Sequence, residues 1–295
     1  MTAEAPAGVL PVDKPEGPTS HDVVALARRA LGVRRIGHTG TLDPFASGLL
    51  LLCIGWATRI AEYLTGLPKT YVAVARLGVT TDTGDPTGTV TGENERWREL
   101  DADTIVRVFR EQVGTFLQRP PEYSAKKVGG VPLYRLARRG EAVQAPPAEV
   151  TVYELDVLGL DLPDVRFRVR CSAGTYVRAI ARDVGEALGT GAHLVSLRRT
   201  AIGPHEVDDA LPLSGLEDPA ARARALISPA EALRHLPAVA VDQAALRALG
   251  SGRPVPAPPG SPASGPVRIL HAGRLIAIAE PTGGRLAPRK VFPHD

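Results

Sequence analysis

The carboxylate best placed to do chemistry in this sequence is Asp43. It stands alone among three glycines, two threonines and a histidine in Arg35-Ile36-Gly37-His38-Thr39-Gly40-Thr41-Leu42-Asp43-Pro44-Phe45-Ala46-Ser47-Gly48-Leu49-Leu50. A connection that only turns the chain takes roughly two to six residues. This one is longer, and its small residues let another molecule approach. A carboxylate held there would serve as nucleophile, base or electrostatic partner, provided it stays ionised. A nearby arginine would favour the charged form and aim it. Arg178, in Gly174-Thr175-Tyr176-Val177-Arg178, is the candidate. Each residue also has a plainer reading. Asp-Pro is a good helix start, with Asp at the N-cap and Pro at N1. An arginine on a first helical turn is ordinarily exposed. His38 alone reads as a loop or cap residue, Tyr71 as a strand tyrosine in the core, and Leu197 as core.

Other chemistries fit less well. Glycoside hydrolysis typically uses paired carboxylates. The Asp43 loop has no second one, and Asp82 and Asp85 lie in a separate loop. The seven histidines are scattered at no metal-binding spacing, so no metal is expected. Two cysteines, Cys53 and Cys171, exclude a disulfide scaffold and fit a reducing compartment. The longest apolar run, residues 49–54, is too short to span a bilayer. The N-terminus does not resemble a signal peptide. A soluble cytoplasmic protein without membrane contact is the expectation.

The net charge of +3 mildly favours a polyanionic partner. Its distribution says more. Residues 118–141 hold six basic side chains (Arg119, Lys126, Lys127, Arg135, Arg138 and Arg139) and two acidic ones, a local excess above that of the whole chain. Tyr123 and Tyr134 interleave with them. Arginine and lysine pair with phosphates and aromatics offer stacking platforms, so Arg119, Lys126, Lys127, Arg135 and Arg138 are candidate nucleic-acid contacts. A solvated loop with a short helix over 133–139 is the alternative.

The elements that must position these groups follow from periodicity and punctuation. Strands are expected over 9–13, 49–54, 69–77, 149–158 and 164–171. Pro11 points to an edge or an irregular start for the first. The unbroken apolar run of the second suggests a fully buried strand. In the third, Tyr71, Ala73 and Ala75 share one face. Thr19 or Ser20 can cap a helix closed by Gly32. A helix is expected over 57–64. Asp103 can cap another through 113, with Ile105, Val106 and Phe109 inward. Gly174 and Thr175 open a further helix carrying Tyr176, Ile180, Val184 and Leu188. Residues 80–92 read as a hairpin or loop. Strands outnumber helices without regular alternation, which predicts an α+β fold with a largely antiparallel mixed sheet flanked by helices. At 295 residues the chain divides into two domains, 1–236 and 237–295. The second is small and mostly β, with a short helix from Asp242, a Pro/Gly/Ser-dense loop and a hairpin turning at His271-Ala272-Gly273.

The string Gly37 through Leu50, preceded by Asp13-Lys14-Pro15-Glu16-Gly17-Pro18-Thr19-Ser20, resembles the TruB family of tRNA pseudouridine synthases. The resemblance covers four blocks in family order over residues 8–203. It implies a pseudouridine synthase fold with Asp43 as the catalytic residue. The block Cys171 through Ile180 resembles the stretch that carries the family's arginine, here Arg178. The same resemblance places Tyr71 against the flipped uracil and makes His38, Tyr176 and Leu197 substrate contacts. It makes 118–150 an insertion that grips the T-loop of tRNA, and 237–295 a PUA-type RNA-binding domain, although the loop at 254–265 departs from the family pattern. The implied reaction is isomerisation of uridine 55, without cofactor, with contacts to the T-loop and stem of tRNA; no protein partner is implied, and a monomer is the expectation. A non-catalytic tRNA-binding or folding protein on the same scaffold is the rival, and Asp43 separates the two.

Overall fold

The computed structural model describes residues 7–124, 126–137, 139, 143 and 145–293. Arg138 and the side chain of Lys127 lie outside the described residues. Its main feature is a sheet of ten strands among the described residues. Seven of them build the site: β1 (Gly8–Lys14), β2 (Ser47–Ile54), β3 (Lys69–Leu77), β4 (Gly114–Gln118), β5 (Ala148–Asp161), β6 (Asp164–Cys171) and β7 (Ala192–Ile202). Their spatial order is β1-β2-β7-β3-β6-β5-β4. All neighbours are antiparallel except β2 and β7, which run parallel through a short contact, Arg198 opposite Ser47 and Arg199 opposite Gly48. The mixed α+β architecture agrees with the expectation.

Side-chain alternation sorts β2 between two cores. Leu50, Leu52 and Ile54 face α1 (Ser20–Leu31), and Leu49, Leu51 and Cys53 face the opposite side. This is why the strand reads as an unbroken apolar run. Thr19 caps α1 through a reciprocal capping box with Asp22, and Gly32 closes it at φ 65°. Pro11 sits inside β1 opposite Leu51, with only the two-residue strand Leu211–Pro212 on its outer side. The far half of the sheet buries one face under α2 (Ala102–Arg110) and α3 (Val177–Ala187). Phe109, Phe167, Val169 and Ile180 form that core, and Leu42, Phe45 and Ala46 from the Asp43 loop join it.

Some local expectations change. Asp101, not Asp103, caps α2, accepting from the Thr104 amide at 2.7 Å. The helix therefore starts two residues earlier, ends at Arg110, and buries Val108 while Val106 lies on its flank. The helix expected over 57–64 is a 3₁₀ turn, Gly55–Ile60, continued by a single α-turn, Ala61–Thr65. Tyr176 is the N-cap of α3 rather than a member of its apolar face. No helix begins at Pro44: the Asp43 carbonyl closes a tight turn with the Ala46 amide, and the carboxylate is not a cap.

The C-terminal part forms a second sheet, with β8 (Ala238–Ala240), β9 (Val267–His271), β10 (Arg274–Thr282) and β11 (Arg285–Val291) in consecutive order and a short helix α4 (Gln243–Gly250). It shares a core with the first part: Leu275, Ile278 and Phe292 pack with Leu49, Leu51 and Cys53. Trp56 stacks on Phe292 at 4.8 Å, and Arg59 donates to the Val291 carbonyl. A small β module with a marginal core of its own thus gains apolar burial from its neighbour.

The parallel contact between β2 and β7 depends on Gly48. Its φ is +106°, and a Cβ there would lie 2.2 Å from the Arg199 carbonyl oxygen. We expect Gly48→Ala to cost about 3 kcal/mol of stability, from backbone strain plus a backbone clash that no side-chain movement relieves. Urea denaturation checks this, and a loss near zero would show that the two strands separate easily.

Candidate active site

The Asp43 loop is held by groups from four segments. The short strand Ile36–His38 pairs with the end of β2, and the Thr39 amide donates to the Leu51 carbonyl. Ser20, buried on α1, accepts from the Leu42 amide at 2.8 Å and donates to the Leu42 carbonyl at 3.2 Å. The Gly17 amide donates to the Pro44 carbonyl. From β7, Arg199 reaches under the loop, only 1% exposed. Its guanidinium donates to the carbonyls of Leu49 (2.7 Å), Gly40 (3.1 Å) and Thr41 (3.4 Å), and lies against the Tyr71 phenol. Backbone carbonyls buried in a loop need such donors, and an arginine supplies several in one rigid fork.

Arg178 faces Asp43 from the first turn of α3. Its side chain is 4% exposed, and its Nε lies 3.1 Å from Asp43 Oδ2. Nη1 donates to the Thr83 carbonyl at 2.7 Å and to Asp85 Oδ2 at 3.2 Å, and Nη2 donates to the Tyr123 carbonyl at 2.8 Å. Asp85 is 6% exposed, and its other oxygen accepts from Thr83 Oγ1, the Thr87 amide and Thr87 Oγ1. A second carboxylate therefore stands behind the arginine. Sequence reading assigned Asp85 to an unrelated loop. Its only local signal was the Thr/Asp-rich run at 80–89, which marks a turn equally well.

These groups border a cavity of about 340 Å³, within the range of small-ligand pockets. Asp43, Tyr71, Tyr176, Arg178 and Leu197 all line it, and so does Lys126 of the basic segment. Thr39 Oγ1, on its wall, is buried without a hydrogen-bond partner among the described residues, a group that a bound molecule could satisfy. A larger cavity of about 620 Å³ lies on the other side of Arg178 and includes Arg119, but Asp43 does not reach it. His38 does not line the first cavity. Its Nδ1 accepts from the Gly40 amide, and its ring meets His21 edge-on at 5.4 Å. Arg135 is exposed on the basic segment. Among the described residues no cluster of His, Cys, Asp and Glu could hold a metal ion.

Burial pushes the Asp43 carboxyl above the ordinary carboxylate range, and Asp85 adds to this, while Arg178 and Lys14 pull it back. A third of its side chain still faces the cavity. Burial lowers His38 to about 4, so it is neutral near pH 7. Burial also raises the Tyr71 and Tyr176 phenols, keeping both protonated. Lys14 and Lys69 are each pushed down to about 8, chiefly by burial, and each donates to two backbone carbonyls: Pro15 and Pro18 for Lys14, Thr65 and Leu67 for Lys69. The arrangement is an aimed carboxylate beside a neutral aromatic wall, suited to nucleophilic attack or to stabilising positive charge on a sugar carbon.

Three family models match consecutive parts of the chain: the TruB family pseudouridylate synthase N-terminal domain over residues 28–177, the tRNA pseudouridylate synthase B C-terminal domain over 178–236, and the pseudouridine synthase II TruB C-terminal domain over 237–292. The chain is 42% identical over 287 residues to tRNA pseudouridine synthase B of Geobacter sulfurreducens, covering 94% of each chain. It is 45% identical over 249 residues to that of Syntrophotalea carbinolica, covering 84% of this chain and 81% of the other. Among solved structures, a chain of a Cbf5-Nop10-Gar1 complex superposes with a TM-score of 0.76 at 30% identity, covering 97% of this chain and 85% of that one. A chain of an H/ACA RNP bound to a substrate RNA containing 2'-deoxyuridine gives the same TM-score at 28% identity. The chain belongs to the TruB family of pseudouridylate synthases.

Removing a cation that serves two carboxylates leaves charge buried without a partner. We expect Arg178→Met to lose about 3–5 kcal/mol of stability. Adding Asp85→Asn should recover a large part of that loss, because the nearly enclosed carboxylate is then neutral. Chemical denaturation of the two variants tests the coupling. A double variant no more stable than the single would show that Arg178 does not compensate Asp85.

Proposed function

We propose that this protein isomerises uridine 55 in the T-loop of tRNA to pseudouridine, with Asp43 as the catalytic residue. The observation that carries this reading is the contact of Asp43 with the buried Arg178 at the mouth of a cavity walled by Tyr71, Tyr176 and Leu197. The reaction breaks the bond between C1′ and N1 and forms one between C1′ and C5. N1 gains a proton and C5 gives one up to solvent, so no net oxidation occurs and no redox cofactor is needed. The base must leave its stack to reach Asp43. Unstacking costs a few kcal/mol, offset by contact with side chains in the pocket.

In this reading Arg178 keeps Asp43 ionised and aimed, and Tyr71 and Leu197 bracket the uracil. His38, off the cavity and neutral, meets the RNA outside the pocket. Attack by Asp43 on the sugar or on the base, and a route through a glycal, both use these groups. In the glycal route a proton leaves C2′, and Asp43 is the better acceptor because burial keeps the Tyr71 phenol protonated. Residues 118–150 form the RNA-gripping insertion, with Arg119, Lys126, Lys127, Arg135 and Arg138 as candidate contacts to phosphate. Residues 237–295 form a PUA-type domain behind the catalytic domain of 1–236. The protein works as a monomer on tRNA in the cytoplasm. No helix among the described residues is long and apolar enough to cross a membrane.

With an unmodified tRNA transcript tritiated at C5 of uridine, the protein should release label without added metal or cofactor. Asp43→Asn should bind the RNA and release none. Binding without release by either would leave an RNA-binding protein in place of an isomerase. Because Asp43 must be ionised, the single-turnover rate should fall as pH drops through its pKa, with a midpoint above the usual carboxylate value of about 3.9. A rate unchanged down to that value would exclude the raised carboxyl from the rate-limiting step. Lys126→Ala should reduce the salt slope of tRNA affinity by about one unit if it meets one phosphate. An unchanged slope removes it from the interface.

A further inference from the structure

We propose that Gln118 is a positioning residue for the reaction, joining the root of the 118–150 insertion to the helix that aims Arg178 at Asp43. Gln118 is the last residue of β4 and pairs across the ladder with Ala148, the first residue of β5. The chain therefore leaves and re-enters the sheet at one rung. Both legs leave that rung through paired prolines, Pro120-Pro121 on one side and Pro146-Pro147 on the other. Fixed φ angles make these legs stiff.

The Gln118 amide is only 2% exposed, and it faces inward to α3. Its Nε2 donates to the Tyr176 carbonyl at 3.2 Å, and its Oε1 accepts from the Tyr176 amide at 2.8 Å. Tyr176 is the N-cap of α3 and has no side-chain cap of its own. One side chain thus fixes both backbone groups of the residue that admits the helix, and Arg178 follows two residues later. The insertion touches Arg178 again through the Tyr123 carbonyl. Farther out, Leu133, Leu136 and Ala145 form a small buried cluster, which gives the described part of the insertion a core of its own. A displacement of the insertion acts on Arg178 at two points, the helix entrance and Tyr123. Seating RNA on the insertion and aiming the guanidinium at Asp43 are then one event, which links recognition to chemistry. Asp43 is also faced by Lys14 from β1, Asp85 from the 79–93 hairpin, Tyr71 from β3 and Tyr176. Gln118 bears on none of these except Tyr176.

This inference rests on the isomerase reading, and the test separates the two. Gln118→Met keeps the volume and loses both hydrogen bonds; Gln118→Glu keeps the acceptor for the Tyr176 amide and loses the donor. In the full-length protein, the Met variant should fall about 10- to 100-fold in single-turnover rate, as misalignment of a catalytic group does. Its tRNA affinity should fall far less. The acid limb of its rate should move to higher pH, because Asp43 loses an aligned cation. The Glu variant, if it folds, should lie between it and the wild type. A carbon-13 titration of the Asp43 carboxyl in the free protein, assigned with Asp43→Asn, should show the same upward movement. A Met variant that matches the wild type, or one that loses rate and affinity in equal proportion with the titration unmoved, overturns the proposal. If the wild type releases no tritium, the isomerase reading fails by itself, and the Asp43 titration in the same variants still decides the role of Gln118.

Discussion

One buried guanidinium holds the site in register. Arg178 meets Asp43 on one side and Asp85 on the other, with two backbone carbonyls completing its donors. A single cation between two carboxylates leaves the cluster one negative charge in excess, and Lys14 lies close enough to offset part of it. Such a cluster is expensive to desolvate unless geometry is tightly kept. That requirement explains the density of hydrogen bonds around it. Asp85 is saturated by Thr83 and Thr87, and Arg178 has a partner on each of its three nitrogens.

The second constraint is the seam between β2 and β7. It is the parallel contact that joins the two halves of the seven-strand core of the sheet, and it exists because Gly48 lets the Arg199 backbone come close. The same residue, Arg199, then sends its side chain under the Asp43 loop and against Tyr71. Backbone approach and side-chain anchoring are two uses of one position. The loop is rigid because its carbonyls are donated to, not because it is short. Rigidity of this kind suits a side chain that must be held in one geometry for chemistry.

Burial gives the site an uneven charge. His38, Tyr71 and Tyr176 are held neutral, and the two nearby lysines are weakened. Strong positive charge at the cavity is supplied by the guanidinium groups of Arg178 and Arg199. Lys126 and Arg135 of the basic segment are exposed, and Lys126 also borders the cavity.

Much of this was written locally. Thr19, Asp22 and Gly32 bound α1 through caps that act over three or four residues, and the alternation of Tyr71, Ala73 and Ala75 named the inward face of β3. The run 49–54 announced a strand buried on both sides, and Asp43, alone among glycines, stood out by composition. Local signals also misled where two neighbours offered the same chemistry: Asp101 and Asp103 can each cap a helix, and Asp101 does so in the structure. Arg199 and Gln118 carried no signal of their own, and Asp85 only a Thr/Asp-rich run that marks a turn equally well. Asp85 meets Arg178 across 93 residues, Arg199 meets Leu49 across 150, and Gln118 meets Tyr176 across 58. The sequence by itself determined most of the segments that became helix or strand and set Asp43 apart among small residues, because periodicity and capping act over a few residues. Only the tertiary structure decided which charges share a burial and which donors hold the Asp43 loop, because strand pairing sets these contacts between segments whose separation in the chain carries no information about their distance in space.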